Sequence, residues 1–309
     1  MEKIAVIEAS VPGRVWAVVF AKAGFEVSLY DSSPDQGAET LRIIRDRVNE
    51  LQCYGQLSDP ADVVFARISI ATTLEAAVEG AFHVQEAGTD TPEFKIEIFA
   101  KLDKIAAPDA VLASSTSTVF PSTFSENVPG RHRCIVVHPV QPPYGVRAIE
   151  VVPGQWTSPE VVERSRAQVE RCGLVPIMIK REMAGYVINS LQIALACEAF
   201  RLVSEGVASP EDVEAVVREG LGPRWSFMGP FVNAGVNSPG GIAGAFNAQA
   251  AFYTKVRAAQ TPVALTPELI GKVHEALSGI LNPGNAEERR EWRDRRLMAL
   301  AQFQSSQPK

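Results

Sequence analysis

The sequence predicts an α/β fold in which a doubly wound, mostly parallel sheet is followed by an all-helical domain. Three observations lead there. Short β-branched runs alternate with longer amphipathic stretches as far as residue 180. From Met183 onward the apolar residues recur with helical spacing, and no convincing strand follows. At 309 residues the chain is also long enough for two substantial cores, since single cores stop growing near ~250 to 300 residues. The division this predicts is 1–182 for the sheet domain and 183–309 for the helical one.

The candidate strands in order are IAVI at 4–7, VSLY at 27–30, ISIA at 68–71 and FHVQ at 82–85, then VLAS at 111–114, CIVVH at 134–138, AIEVV at 148–152 and VPIMI at 175–179. In the second domain, MAGYVINSLQIALACEAFRLVSEG places apolar residues at 187, 188, 191, 194, 195 and 202, one face of a helix. SPEDVEAVVREG carries a start signal, with Ser209 as N-cap, Pro210 at the first helical position and Glu211 and Asp212 in the first turn. TPELIGKVHEALSGIL and AEERREWRDRRLMALAQF read as further helices, and QSSQPK as a mobile tail.

Composition narrows the function classes. With 46% hydrophobic and 21% charged residues the chain reads as an ordinary soluble globular protein. A net charge of −6 gives no footprint for nucleic acid, and the one dense run, RREWRDRR at 289–296, is interrupted by acids and reads as a solvated helix face. Cys53, Cys134, Cys172 and Cys197 form no CxxC pair, so reduced thiols are expected rather than disulfides or a metal site. MEKIAVIEAS lacks a signal-type pattern and no stretch of about 18 apolar residues occurs, so the expectation is a cytoplasmic protein with no membrane partner.

The first two strands and the helix between them form a recognisable unit: IAVI, the turn EASVPG, the helix RVWAVVFAKAGF, then VSLYD. Strand, turn, helix, strand and terminal acid make the mononucleotide-binding half of a Rossmann-type sheet. Asp31 lies about 20 residues past the turn, where a carboxylate meets the adenosine ribose and repels a 2′-phosphate, which favours NAD. The glycines depart from the pattern. G-x-G-x-x-G falls on positions 8, 10 and 13, which hold Glu8, Ser10 and Gly13. The first glycine normally makes the tight turn, so a side chain there is strained if its φ is positive. The second lets backbone approach the pyrophosphate, where Ser10 intrudes least. Glu8 adds a negative charge near a dianion, at roughly 3 kcal/mol per charge pair for ~5 Å and an effective dielectric of about 20. The loop therefore leaves two outcomes open, NAD held weakly and NAD lost.

Two further stretches carry chemistry. HPVQPPY at 138–144 puts His138 at a strand end, and RAIEVVP at 147–153 carries Glu150 inside the next strand. A carboxylate beside a histidine fixes its tautomer and orientation for base catalysis; a satisfied structural histidine is the other reading. His83, His132 and His274 match no motif and are expected to be structural or exposed.

The order of these motifs resembles the 3-hydroxyacyl-CoA dehydrogenase superfamily, and within it the λ-crystallin and L-gulonate 3-dehydrogenase branch. The residues carrying the resemblance are AVEGAFHVQEAG at 77–88, ASSTST at 113–118, HPVQPPY, GYVINSLQIA at 185–194, EGVASPEDV at 205–213, GLGPRWSFMGP at 220–230 and RREWRD at 289–294. The resemblance implies that His138 is the base taking the 3-hydroxyl proton, that Glu150 orients it, and that Ser117 and Asn189 contact the substrate oxygen. It places Glu86 and Lys95 beside the nicotinamide, with Gly13, Ser10 and Asp31 as the remaining cofactor contacts. Gln141 stands where the family motif has asparagine, so its amide reaches about one methylene, ~1.5 Å, further. Arg224 fits a carboxylate clamp, and Trp225 a pocket wall of the kind seen in carnitine dehydrogenases, which the segment also resembles. A surface ion pair and a core tryptophan are the alternatives for these two. The family also implies a homodimer.

Two activities are compatible with this pattern. One is NAD-dependent oxidation of a small 3-hydroxy acid. The other keeps the His138 and Glu150 pair for proton transfer without hydride, as in hydrolytic carbon–carbon cleavage or isomerisation of a β-dicarbonyl. A binding or lens-type structural role is a third, non-enzymatic possibility.

Overall fold

A computed structural model describes residues 1–33, 37–279 and 286–307. All eight candidate strands form: β1 Lys3–Ile7, β2 Glu26–Tyr30, β3 Ile68–Ile70, β4 Ala81–Glu86, β5 Val111–Ser114, β6 Cys134–Pro139, β7 Ala148–Pro153 and β8 Val175–Met178. They join one sheet in the order β3-β2-β1-β4-β5-β6-β7-β8. Helices α1 Val11–Lys22, α2 Gly37–Cys53, α3 Ala61–Phe65, α4 Leu74–Val78, α5 Pro92–Ile105, α6 Pro121–Ser125 and α7 Pro159–Arg171 belong to the same unit.

The continuous apolar run of β1 follows from burial on both faces. Ile4 and Val6 pack into a core with Trp16 and Phe20 of α1 and with Ile44, Val48 and Leu51 of α2. Ala5 and Ile7, pointing the other way, join Phe99 and Leu102 of α5 and Phe124 of α6. A sheet covered on both faces leaves the strand ends as the accessible edge.

One pairing breaks the parallel pattern. β6 and β7 run antiparallel, and their register sets His138 directly opposite Glu150. The intervening segment is too short for a crossover, which takes a dozen or more residues, so the chain returns as a hairpin.

The second unit spans Ile188–Arg289. It contains most of α8 Tyr186–Ser204, then α9 Pro210–Ala215, α10 Gly222–Trp225, α11 Pro230–Gly235, α12 Gly241–Ala259, α13 Pro267–Leu277 and the start of α14 Ala286–Ser305; no strand occurs among its described residues. Ser209 caps α9 as its sequence signal predicts, accepting a hydrogen bond from the Asp212 amide at 3.1 Å. Residues 280 and 281 of the expected TPELIGKVHEALSGIL helix lie outside the described residues, as do 308 and 309 of the tail. α14 runs on to Ser305, so the first two residues of QSSQPK are helical.

The chain from Arg290 onward groups with the first unit, whereas the sequence division keeps all of 183–309 together. Asp294 is the physical reason. It accepts a hydrogen bond from Tyr144 at 2.6 Å and lies 3.6 Å from Arg47, while Met298 one turn on is fully buried. RREWRDRR is thus not wholly a solvated face, because its Asp294 points inward. By length and composition α8 is apolar enough to span a bilayer, with a mean hydropathy of 1.3 over its best window. Little of it is buried, and Leu191 and Ile193 are exposed.

Candidate active site

The turn after β1 has an unusual backbone for its sequence. Glu8 adopts φ +73°, the left-handed conformation that glycine normally supplies, which costs a residue with a Cβ about 1 to 3 kcal/mol. Gly13 is required by a close approach: a Cβ there would stand 1.9 Å from the Glu8 carbonyl oxygen. Ser10 is the N-cap of α1. Its hydroxyl accepts from the Gly13 amide at 3.3 Å and donates to the Ala87 carbonyl at 2.6 Å. Pro12, in the first helical turn, has no N–H. Two of the donors that a helix N-terminus offers an anion are therefore missing or engaged.

Asp31 directly follows β2, in the expected place. Its Oδ2 accepts from the Ala9 amide at 2.8 Å and its Oδ1 from the Ser33 amide at 2.7 Å, which orients the carboxylate and leaves each oxygen a second lone pair. A cavity of about 150 Å³ opens beside it, lined in part by Ala9, Thr40, Ile70 and Thr72. The Glu8 side chain reaches the same edge, where its Oε2 accepts from Ser32 at 3.0 Å. Burial holds its carboxyl above the ordinary carboxylate range, against the Ser32 hydrogen bond and with a further push from Asp31.

Glu86, the last residue of β4, and Lys95, in α5, form a pair in the interior. Both are fully buried and bonded to each other, with Lys95 Nζ 2.8 Å from each Glu86 carboxylate oxygen. Ser114 donates to the same carboxylate at 2.6 Å and the Gly88 amide at 2.5 Å. With both charges engaged and Lys95 Nζ also donating to the Gly88 carbonyl at 3.2 Å, the pair braces the β4–α5 connection.

At the other strand ends, His138 Nδ1 meets Glu150 Oε2 at 2.9 Å, and Glu150 Oε1 accepts the Val187 amide at 2.7 Å. Glu150 is fully buried and His138 nearly so. The Tyr186 ring lies edge-on to the imidazole, with centroids 5.5 Å apart, and Tyr186 itself adopts φ +44°. A carboxylate on Nδ1 holds the proton there and leaves Nε2 as the acceptor. Ser117 follows β5. Its hydroxyl donates to Asp90 Oδ2 at 3.1 Å, its amide approaches the same oxygen at 3.3 Å, and Thr116 bonds the other oxygen. Although burial works to raise the Asp90 carboxyl, the hydrogen bonds from Thr116 and Ser117 hold it below the usual range. Gln141 is followed by a cis peptide bond to Pro142, and among the described residues its buried Oε1 finds no hydrogen-bond donor.

The remaining expected site residues belong to the second unit. Asn189 lies in the first turn of α8. Arg224 and Trp225 lie in α10, both exposed, with Arg224 Nε donating to the Gly220 carbonyl at 3.1 Å. Of the unassigned histidines, His83 is buried and His132 and His274 are exposed.

The sequence profile of the 3-hydroxyacyl-CoA dehydrogenase NAD binding domain matches residues 3–183, and that of the C-terminal domain matches residues 185–269. The chain belongs to the 3-hydroxyacyl-CoA dehydrogenase family. It is 38% identical to the lambda-crystallin homolog of Bos taurus over 314 residues, covering 99% of this chain and 96% of that protein. It is 31% identical over 304 residues to an L-carnitine dehydrogenase from a Pseudomonas species, covering 97% of this chain and 93% of that protein. The crystal structure of an NAD+-dependent 5-formyl-3-hydroxy-2-methylpyridine 4-carboxylic acid 5-dehydrogenase superposes with a TM-score of 0.84 over 100% of both chains at 23% identity, a likeness of fold.

For a member of this family, two side chains at the site escaped sequence reasoning. Asp90 sits in AGTDTP, whose only signal was an acid in a strand-to-helix loop at the ligand edge of the sheet. Tyr186 reads as one more apolar helix residue; Gly185 before it, itself at φ +72°, was the sign of a sharp turn.

Proposed function

We propose that this dehydrogenase-family chain oxidises a small 3-hydroxy acid with NAD, with His138 as base. The carrying observation is the buried His138–Glu150 pair, since it leaves Nε2 as the one imidazole nitrogen able to receive a proton. Glu150 holds the imidazole and stabilises its charge once Nε2 has taken the 3-hydroxyl proton. Ser117, its own proton directed to Asp90, turns a lone pair toward the substrate hydroxyl. Asn189 serves as a donor to the resulting carbonyl oxygen, and Gln141, whose amide oxygen lacks a partner among the described residues, offers a second polar contact. Arg224 and Trp225 are assigned to the substrate carboxylate and the pocket wall. NAD, when bound, supplies the hydride acceptor.

The residues fit that cofactor unevenly. Asp31, oriented by two amides beside a cavity, suits a ribose diol and opposes a 2′-phosphate. Gly13 keeps the loop close to the helix, and Glu86 and Lys95 support the far side. The pyrophosphate position is less well provided, for Glu8 brings a carboxylate and Ser10 and Pro12 reduce the donors. That observation favours a second reading, in which His138 moves a proton on a β-dicarbonyl without a redox partner.

Titration with NADH, together with NAD-linked turnover of L-carnitine, L-gulonate and 3-hydroxybutyrate, separates the two. Oxidation of any of these, lost in His138→Ala, supports the dehydrogenase. Absence of NADH binding at about millimolar concentration, with cofactor-free cleavage of a β-diketone that needs His138, favours the second. We also propose a cytoplasmic homodimer joined through the helical unit, supported by exposed Leu191, Ile193, Phe227 and Phe231. Four free cysteines accord with a reducing compartment.

A further inference from the structure

The winding of the sheet reverses between β1 and β4, and in open α/β sheets the crevice at that point, beyond the strand ends, is where ligands lie. The Glu8 side chain crosses it. Its γ-carbon is 2.8 Å from where a Cβ on Gly88 would stand, just past β4, and its Oε2 bonds Ser32, just past β2. A left-handed backbone sets this direction from the end of β1.

Among the described residues, the charges that act on Glu8 most are carboxylates. From the end of β2 comes the Asp31 carboxylate, and from β4 the Glu86 carboxylate. Lys95, on α5, is bonded to Glu86. Arg14, on α1, gives one guanidinium nitrogen to the Ala9 carbonyl at 2.9 Å. A dinucleotide laid across the crevice meets a carboxylate where its pyrophosphate needs donors, in a loop where Pro12 has no amide hydrogen and Ser10 occupies that of Gly13.

We propose that a dinucleotide enters this site together with one proton, taken up by Glu8. The inference rests on the NAD-dependent reading of the site. An ionised carboxylate only accepts hydrogen bonds, whereas a neutral carboxyl carries an O–H. Protonation therefore removes a repulsion and adds a donor in the same place. Burial and the neighbouring carboxylates favour the neutral form before any ligand arrives.

The sign of the pH dependence follows by linkage. Ligand binding raises the affinity of Glu8 for its proton, so protons are taken up between the free and bound titrations. Affinity is greatest below the free titration and weakens as pH rises above it, by up to about tenfold per pH unit.

The test is calorimetric titration of the full-length protein with NADH at about pH 6 and about pH 8, in buffers of different ionisation enthalpy. The expected result is a Kd that rises by roughly tenfold or more over that range, with buffer-dependent heat approaching one proton taken up per site at the higher pH. Glu8→Gln should bind with a pH-independent Kd, tighter than wild type by about tenfold at the higher pH. Glu8→Gly, free of the left-handed strain, is the second variant if the amide fails to fold. Equal wild-type affinity at both pH values, heat independent of buffer, or variants that bind no tighter at the higher pH each overturn the proposal. So does wild-type protein that binds at neither pH while the variants bind. Proton-linked NADH binding without oxidation of any 3-hydroxy acid would instead uphold the proposal and remove the dehydrogenase reading.

Discussion

Glu150→Gln probes the His138 pair with almost no change of shape. In the native protein Glu150 is fully buried, with Oε2 at 2.9 Å from His138 Nδ1 and Oε1 at 2.7 Å from the Val187 amide. The Val187 amide is a donor, so the glutamine must turn its oxygen that way. Its NH2 then faces His138. Nδ1 has to become the acceptor, which moves the ring proton to Nε2, where the substrate proton should go. Exchanging a charged acceptor for a neutral amide at a buried site costs about 1 to 3 kcal/mol, or roughly 2 to 4 °C in Tm for each kcal/mol in a unit of this size. The rate loss should be larger in free-energy terms, because positioned base catalysis contributes on the order of 10² to 10⁴. Two measurements check this. Nitrogen NMR of the labelled protein should show the protonated ring nitrogen change from Nδ1 to Nε2. Single-turnover hydride transfer should fall by at least about a hundredfold with substrate binding little altered. An unchanged tautomer, or a rate within about threefold of wild type, would refute the assignment of Glu150 as the orienter.

Three more outcomes are expected. Gly13→Ala should lose several kcal/mol of stability, or distort the turn, because its Cβ would stand 1.9 Å from the Glu8 carbonyl oxygen; a Tm within about 2 °C of wild type would mean the loop can open freely. Lys95→Met leaves the buried Glu86 carboxylate without its cation and should cost about 3 to 5 kcal/mol by urea unfolding, with Lys95→Met/Glu86→Gln recovering a large part of it. His83 is fully buried and pushed down to about 4, from 6.5, mainly by desolvation, so the unfolded chain binds its proton first. The native protein should therefore hold its full His83 contribution above pH 6.5 and lose about 3 kcal/mol as pH falls from there to about 4, a slope that His83→Phe should remove in unfolding measured against pH.

Much of this protein is written locally in its chain. β1 reads as continuously apolar because both its faces are covered, and α9 in the second unit carries its own start signal at Ser209. Asp31 could be located by its distance from the turn alone. His138 and Glu150 were legible as a pair because a short hairpin must set nearby residues opposite one another. Even the strain at Glu8 was foreseeable, since the turn geometry belongs to the fold and not to the residue that occupies it.

Folding in three dimensions settled where the charges go. Glu86 at the end of β4 and Lys95 in α5 sit nine residues apart on either side of a connecting loop, and they face each other in the interior. Asp90 reaches Ser117 across 27 residues, and Tyr144 finds Asp294 across 150, which draws the end of the chain back to the first unit. Periodicity and motif spacing report each segment's own conformation. A side chain's partner depends on which segments the sheet order and helix packing bring together, and at the end of β1 that order extends Glu8 between Gly88 and Ser32.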